Sequence, residues 1–410
     1  MTALGVWWDR TQVGELEQLT ARTREYSFRY TSADRPISLS LPLGVGEFAP
    51  AQSRPFFEAL LPEGTIRERV ANQLRLAPSD SFGLLAALGR DCAGALQILE
   101  STRISETPSV SWLTAAELDE LIDDLPRHPL GLEPGESRMR LSLAGVQNKA
   151  VLIRDADGSF GRPLNGMPST HILKPERSDT GYPALATNEF FCMRLAARCG
   201  LSAASVELAT IAGESCLVVE RFDRDRIAWP PRRVHQEDLC QAIGITPDFK
   251  YQQPGWTVPS YRALGELLVR HSPSPGLDRL DSARAAVFHF LVGNADAHAK
   301  NISVLHGEHG VRVAPLYDVV STAVYSDLNR DLALAIGDEF DSASIGPTQW
   351  ADLAADFDLN PTQFTRARVE LGTLAVERAR TLRQEALDAG WHRPCVDVVV
   401  GTIESRTKQL

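Results

Sequence analysis

Hydrophobic and polar positions change period along this chain, and the changes divide it. Near the start, GVWW and VGELEQL alternate about the polar stretch DRTQ, which predicts a β-hairpin over Val6 to Leu19. ISLSLPLG, from Ile37 to Gly44, alternates in the same way and predicts another strand. The spacing then becomes helical in PFFEALLPEGTIRERVANQLRL, with a break at Pro62-Glu63-Gly64. Asp80 to Leu99 reads as a short helix, a stop at Gly89 and a strand, and the polar stretch Glu100 to Ser111 reads as turns. TAAELDELIDDL opens a helix with Thr114 as N-cap and Glu117 three residues on, the arrangement of a capping box.

His128 to Arg140 is loop-like, and the main boundary between lobes is expected there. LSLAGVQNKAVLI and STHILKPE follow as strands, with RDADGS as a turn. Pro183 to Cys199 has the pattern of an amphipathic helix closed by Gly200. Two more strands flank the turn Ala212-Gly213-Glu214, and from Glu237 to about Leu387 the helical period dominates. The fold class expected is α+β, with a smaller β-rich N-terminal lobe leading into a larger, mostly helical C-terminal lobe. Three segments are expected within it: 1–140, 141–235 and 236–410.

Composition narrows the picture. The 410 residues are 43% hydrophobic and 23% charged, ordinary for a globular chain and enough for two domains. A formal net charge of -11 argues against a large DNA or anionic-membrane footprint made by this chain alone. The runs Arg221 to Arg226 and Pro230-Pro231-Arg232-Arg233 read as solvated loop faces, with a local basic patch as the alternative. Six cysteines, with no CxxC pair and no zinc-type spacing, read as reduced buried thiols. The N-terminus has no signal pattern and no apolar run approaches a membrane span, so a cytoplasmic location is expected.

One stretch departs from the surrounding apolar pattern. HFLVGNADAHAKNISVL, from His289 to Leu305, crowds Asn294, Asp296, His298, Lys300 and Asn301 between apolar flanks. An Asp and an Asn five positions apart suit phosphoryl transfer: Asp296 can accept the proton of an attacking hydroxyl, and Asn301 can reach a magnesium ion beside the phosphates. Lys300 can neutralise charge on the transferred group, and His298 can brace the loop. The strand VRVAPL then leads to Tyr317-Asp318, where a second metal ligand is expected. A turn, a cap or a structural histidine accounts for any one of these residues; the set with Asp318 points to chemistry. A metallohydrolase built on His289, Asp296, His298 and Asp318 lacks the HExxH arrangement.

Upstream, Ser142, Ala144, Gly145, Val146, Gln147 and Lys149 fall in a run of small residues between strand segments, open to phosphate approach or to a plain hairpin loop. Lys174 ends an apolar strand and could pair the α- and β-phosphates, with Glu189 on the next helix as its potential partner. If VVERF is the strand entering the hinge between lobes, the backbone of Glu220 and Phe222 is placed to bind adenine; an ordinary strand end is equally open. Small-residue loop, strand lysine, helix, hinge strand, helical lobe, DxxxxN and Asp follow one another in a protein-kinase-like order.

With those motifs in place, the chain resembles the HipA-type serine/threonine kinases, the toxins of HipBA toxin–antitoxin modules. PFFEALLPEG and LLAALGRDCAGALQ are similar to the family's N-terminal portion. SLAGVQNK, HILKPE, NEFFCMRLA, VERFDR, HQEDLCQAIG, GNADAHAKNISVL and LYDVVST are similar to its kinase core. The resemblance implies a bilobal kinase using ATP and Mg²⁺, with Asp296 as base, Asn301 and Asp318 as metal ligands and Lys174 on the phosphates. It also implies a P-loop over Ser142 to Lys149, in which Ser142 matches the serine that family members autophosphorylate to inactivate themselves. The partners implied are a HipB-like helix-turn-helix antitoxin, through which alone DNA is reached, and an aminoacyl-tRNA synthetase as substrate. Two alternatives remain: a small-molecule phosphotransferase of the aminoglycoside kind, and a non-catalytic nucleotide-binding corepressor module.

Overall fold

The structure is a computed structural model describing residues 3–20, 24–100, 107–131, 148–176 and 182–410. The chain forms two compact units: Met1–Pro175 with Thr210–Glu214 and Val218–Pro247, and Glu176–Ala209 with Ser215–Leu217 and Asp248–Leu410.

In the first unit, β1 (Ala3–Trp8), β2 (Thr11–Gln18), β3 (Tyr26–Tyr30) and β4 (Leu96–Glu100) form an antiparallel sheet in the order β3-β2-β1-β4. The expected hairpin forms, with Asp9 in the left-handed region at φ 55° to close a two-residue turn. Helices α1 (Pro50–Ala59), α2 (Gly64–Gln73) and α3 (Ser81–Leu88) bury Phe56 and Phe57, Ile66 and Val70, and Phe82 respectively, in one core with Leu4, Leu16 and Phe28. Gly14 is required by close approach: a Cβ there would sit 2.4 Å from the Phe28 ring.

The strand expected over Ile37 to Gly44 does not form. Its polar positions bond to distant side chains instead of a ladder. Ser38 Oγ donates to Glu237 Oε2 at 2.5 Å, the Leu39 N–H to Glu237 Oε1 at 3.0 Å, and Ser40 Oγ to the Gln241 carbonyl at 2.7 Å. Pro42 also lacks the N–H a ladder needs. The edge position beside β2 goes to β3, whose aromatic run lies outside the predicted strands.

A second sheet holds β5 (Ser109–Trp112), β6 (Ala150–Arg154), β7 (Phe160–Leu164), β8 (His171–Pro175), β9 (Val206–Ile211) and β10 (Glu214–Glu220), in the order β5-β7-β6-β8-β10-β9. Strand β5 lies in the stretch expected to be only turns. It forms because Ser109 to Trp112 pairs along its whole length with β7. Helix α4 (Ala115–Asp124) has the expected capping box: Thr114 Oγ1 accepts from the Glu117 N–H at 3.3 Å, and Glu117 Oε2 accepts from the Thr114 N–H at 2.8 Å.

Of the arginines after β10, Arg221 and Arg224 are not solvated loop faces, whereas Arg226 and Arg232 are exposed as expected. β11 (Arg224–Asp225) pairs with β12 (Arg232–Arg233), and the Arg221 and Arg224 side chains are buried against Asp91 and Asp223. Arg224 meets Asp91 at 2.9 Å and Arg221 meets Asp223 at 2.8 Å. Burial alone would raise the Asp91 carboxyl, but Arg224, Arg233 and Arg221 together hold it below the usual carboxylate range. β13 (Gln236–Asp238) runs into α6 (Leu239–Ile243), where this unit ends shortly after.

The second unit is mostly helical: α5 (Leu185–Arg198), α7 (Tyr261–His271), α8 (Pro275–Val292), α9 (Pro347–Asp356), α10 (Pro361–Asp388) and α11 (Arg393–Arg406). Phe290 of α8 packs edge-on against Trp350 of α9 with ring centroids 5.1 Å apart. Glu176 closes the start of α5 by accepting from the N–H groups of Leu185, Ala186 and Thr187. Two hairpins, β14 (Ser303–Gly307) with β15 (Gly310–Val313) and β16 (Asp331–Ile336) with β17 (Glu339–Asp341), interrupt the helices. All six cysteines are buried free thiols. Among the described residues no helix is long and apolar enough to cross a membrane.

Candidate active site

The loop after α8 is built mainly from backbone bonds. Gly293 ends the helix at φ 75°, and a Cβ there would lie 2.9 Å from both Ala323 Cβ and Thr402 Cγ2. Asn294 then donates its N–H to the His289 carbonyl, and its Oδ1 accepts from the Asp296 N–H at 3.0 Å. The Ala295 N–H goes to Thr322 Oγ1, while the Ala295 carbonyl accepts from the Ala333 N–H of β16 at 2.9 Å. From Leu291 to Lys300, Asp296 alone is exposed; the other nine residues are buried. The polar residues in this apolar stretch build the loop that presents one carboxylate.

Around Asp296 the donors are specific. Its backbone carbonyl accepts from the His298 N–H at 2.8 Å and from Asn301 Nδ2 at 3.2 Å. That bond uses the nitrogen end of the Asn301 amide and leaves Oδ1 as the oxygen for a cation. Tyr251 Oη donates to Asp296 Oδ1 at 2.7 Å, and the Tyr251 ring stands edge-on to His298 with centroids 5.1 Å apart. Lys300 is buried, and its carbonyl accepts from Tyr317 Oη at 2.5 Å.

Tyr317 thereby ties the catalytic-loop candidate to the segment carrying Asp318. That segment is held on both sides. Leu316 exchanges backbone bonds with Ser202 and Ala204, and the Ser321 N–H and carbonyl both bond to the Asn188 side chain. Asp318 lies between these anchors, half-buried, in the left-handed region at φ 57°. An amide oxygen and a carboxylate are the donor types magnesium takes beside phosphates and water, so Asn301 and Asp318 fit that ion. Among the described residues no three of His, Cys, Asp or Glu come together as a metal cage. His289, a member of the metallohydrolase alternative, is fully buried with Nδ1 3.1 Å from Asn294 Nδ2.

Burial pushes the His289 imidazole down to about 4. Its folded-state value lies below the unfolded one, so below the unfolded value the unfolded chain binds the extra proton. Stability is therefore lost as pH falls through that window. Between about pH 7 and about pH 5 this residue is expected to cost about 2 kcal/mol. His289→Gln should flatten that part of the pH dependence in urea titrations; an unchanged slope would contradict the assignment.

The remaining expected residues lie mostly in the first unit. Ser142, Ala144, Gly145, Val146 and Gln147 fall outside the described residues. Lys149 and Lys174 are both buried, against the ordinary habit of surface lysines, as is Glu189 in the second unit. Glu220 ends β10 with its carboxylate 2.9 Å from Arg226, and Phe222 is half-buried just beyond. Tyr251 and Tyr317, which position Asp296 and Lys300, were not selected by sequence reasoning. Both sit in aperiodic stretches, and their only local signal is an aromatic among turn residues.

Comparison with known proteins assigns the family. A family model described as the HipA-like C-terminal domain matches residues 141–383, and one described as the HipA N-terminal domain matches residues 4–99. A Sinorhizobium fredii protein named "Putative kinase Y4mE" is 41% identical over 86% of this chain and 85% of its own length. The serine/threonine-protein kinase toxin HipA of Shewanella oneidensis is 33% identical over 83% of this chain and 79% of its own. Among solved structures, HipA in the Shewanella oneidensis HipA, HipB and operator DNA complex superposes with a TM-score of 0.81 at 28% identity. That match covers 98% of this chain and 97% of the other. The expected kinase-like α+β fold is thus the observed one, and the chain belongs to the HipA family of serine/threonine kinase toxins.

Proposed function

We propose that this protein transfers the γ-phosphoryl group of ATP to serine or threonine hydroxyls of a protein, with Asp296 as the general base. The observation that carries this reading is the exposed Asp296 carboxylate on a loop otherwise buried, with Asn301 bonded to its carbonyl. Asp296 accepts the hydroxyl proton as the acceptor oxygen bonds to phosphorus, and the departing ADP oxygen keeps the electron pair of the broken P–O bond. Lys300 is assigned to the charge of the transferred group, His298 to bracing the loop, and Lys174 to the α- and β-phosphates. Magnesium, held by Asn301 and Asp318, would neutralise the phosphates. The small-residue run with Lys149 is assigned to covering the nucleotide, and the backbone of Glu220 and Phe222 to adenine. The three segments 1–140, 141–235 and 236–410 are retained as the functional division.

In the same reading the chain is a toxin held by a HipB-like antitoxin, acts in the cytoplasm on an aminoacyl-tRNA synthetase, and meets DNA only through its antitoxin. Ser142 is assigned as the autophosphorylation site. A phosphate there would repel the nucleotide, which gives self-inactivation a physical basis. The test is intact-mass and phosphopeptide analysis after incubation with Mg-ATP, beside Asp296→Asn. One added phosphate on Ser142, absent from the variant, is expected. Phosphate on neither protein, with ATP still bound, would favour the corepressor alternative. Asp318→Ala is expected to weaken Mg²⁺-dependent ATP binding by at least about tenfold. Unchanged affinity by calorimetry would exclude the metal role.

A further inference from the structure

Four large apolar residues are exposed within ten positions of the segment before α7. Phe249 is 49% exposed, Tyr251 40%, Trp256 42% and Val258 42%. Single exposed apolar residues are ordinary, but a contiguous group marks a surface that meets something. Phe249 and Trp256 pack against each other with centroids 5.6 Å apart, so they present one face.

This segment is fastened to the catalytic-loop candidate. The Lys250 carbonyl accepts from the Ala299 N–H at 3.1 Å, and Tyr251 Oη reaches Asp296 Oδ1 at 2.7 Å. Behind it, the Gln252 N–H bonds to the Ala333 carbonyl, and Gln252 Oε1 accepts from the Ala335 N–H. The aromatic face is therefore placed by the same elements that place the base.

Its occupant follows from that position. An acceptor hydroxyl must come within hydrogen-bond reach of the Asp296 carboxylate, about 2.6–3.2 Å. In an extended peptide the neighbouring residues then lie about 3.3 Å further on per position, and Tyr251, bonded to that carboxylate, belongs to the same segment as the aromatic pair. A permanent partner on this face would cover the base. The surface therefore suits a transient one. Tyr251 occupies Oδ1 and leaves Oδ2 as the acceptor for the substrate proton, so its hydroxyl fixes which way the carboxylate faces.

We propose that Phe249, Tyr251 and Trp256 form the docking face for the protein substrate, and that its sites carry a bulky apolar side chain within two residues of the acceptor hydroxyl. Tyr251 is in addition a positioning residue for Asp296. This inference rests on the kinase reading above and specifies its substrate class.

The experiment incubates the full-length protein with Mg-ATP and a phosphatase-treated soluble bacterial lysate, then quantifies phosphosites against Asp296→Asn. Sites that need Asp296 are expected to carry the apolar neighbour. The double variant Phe249→Ala/Trp256→Ala should lower incorporation there at least about tenfold, with ATP affinity by calorimetry within about twofold of the parent. Tyr251→Phe should lower incorporation at all sites alike, also without loss of ATP affinity. Parent-level incorporation by the double variant, or sites with no apolar neighbour, would overturn the docking face. Parent-level incorporation by Tyr251→Phe would overturn its positioning role. Labelling that persists in Asp296→Asn would instead remove the base assignment, and no labelling by the parent would remove the kinase reading and this inference together.

Discussion

Replacing Asp296 by Asn is expected to slow phosphoryl transfer by about 10²–10⁴-fold while leaving the fold and ATP affinity intact. The substitution keeps the side-chain volume and an oxygen to accept from Tyr251 Oη. The loop bonds at this position involve only its N–H and carbonyl, to Asn294, His298 and Asn301. What disappears is the group that can take a proton from the acceptor hydroxyl. Initial rates of labelled phosphate transfer, with calorimetric ATP binding and a thermal melt as controls, give the measurement. A rate within about threefold of the parent would be too small for loss of a general base and would sink the assignment.

The largest effect on stability is expected at the buried ion cluster of the first unit. Asp223 is 4% exposed, bonds to Arg221 and Arg224, and accepts from the Gly94 N–H at 2.7 Å. Burial alone would raise its carboxyl, yet the two arginines hold it well below the usual carboxylate range. Asp223→Ala would leave both guanidinium groups buried with less compensation. A loss of about 3–5 kcal/mol is expected in urea or guanidinium unfolding. A loss under about 1 kcal/mol would mean that the arginines relax to water or to Asp91, and that the cluster is not the tightly coupled unit described.

Both sites show how far the sequence could be read. Helices α1 to α5, the β1–β2 hairpin, and β9 and β10 announce themselves by period, caps and glycine stops, all properties of neighbouring residues. The Asp296–Asn301 spacing is legible for the same reason. Long-range polar bonds leave no such trace. The alternation over Ile37 to Gly44 looks like a strand because nothing local reveals that Glu237 and Gln241 take its polar groups. Arg221 and Arg224 look like surface charges because Asp91 is more than a hundred residues away. Tyr251 is likewise brought to Asp296 by the fold, from 45 positions upstream.

The way the catalytic-loop candidate is anchored also sets where substitutions can accumulate. Its outer attachments, at Lys250, Ala333 and Ala323, are made by backbone N–H and carbonyl groups. Almost any side chain offers those groups, so Lys250 and Ala323 can drift in identity without loosening the loop, while Ala333, buried in the core, is held small by packing. Gly293 cannot drift in the same way, because it needs both its positive φ and its missing Cβ. Asn294 cannot either, because its side chain bonds to both Asp296 and His289. A saturation library should therefore tolerate change at Lys250 and Ala323 and reject it at Gly293 and Asn294.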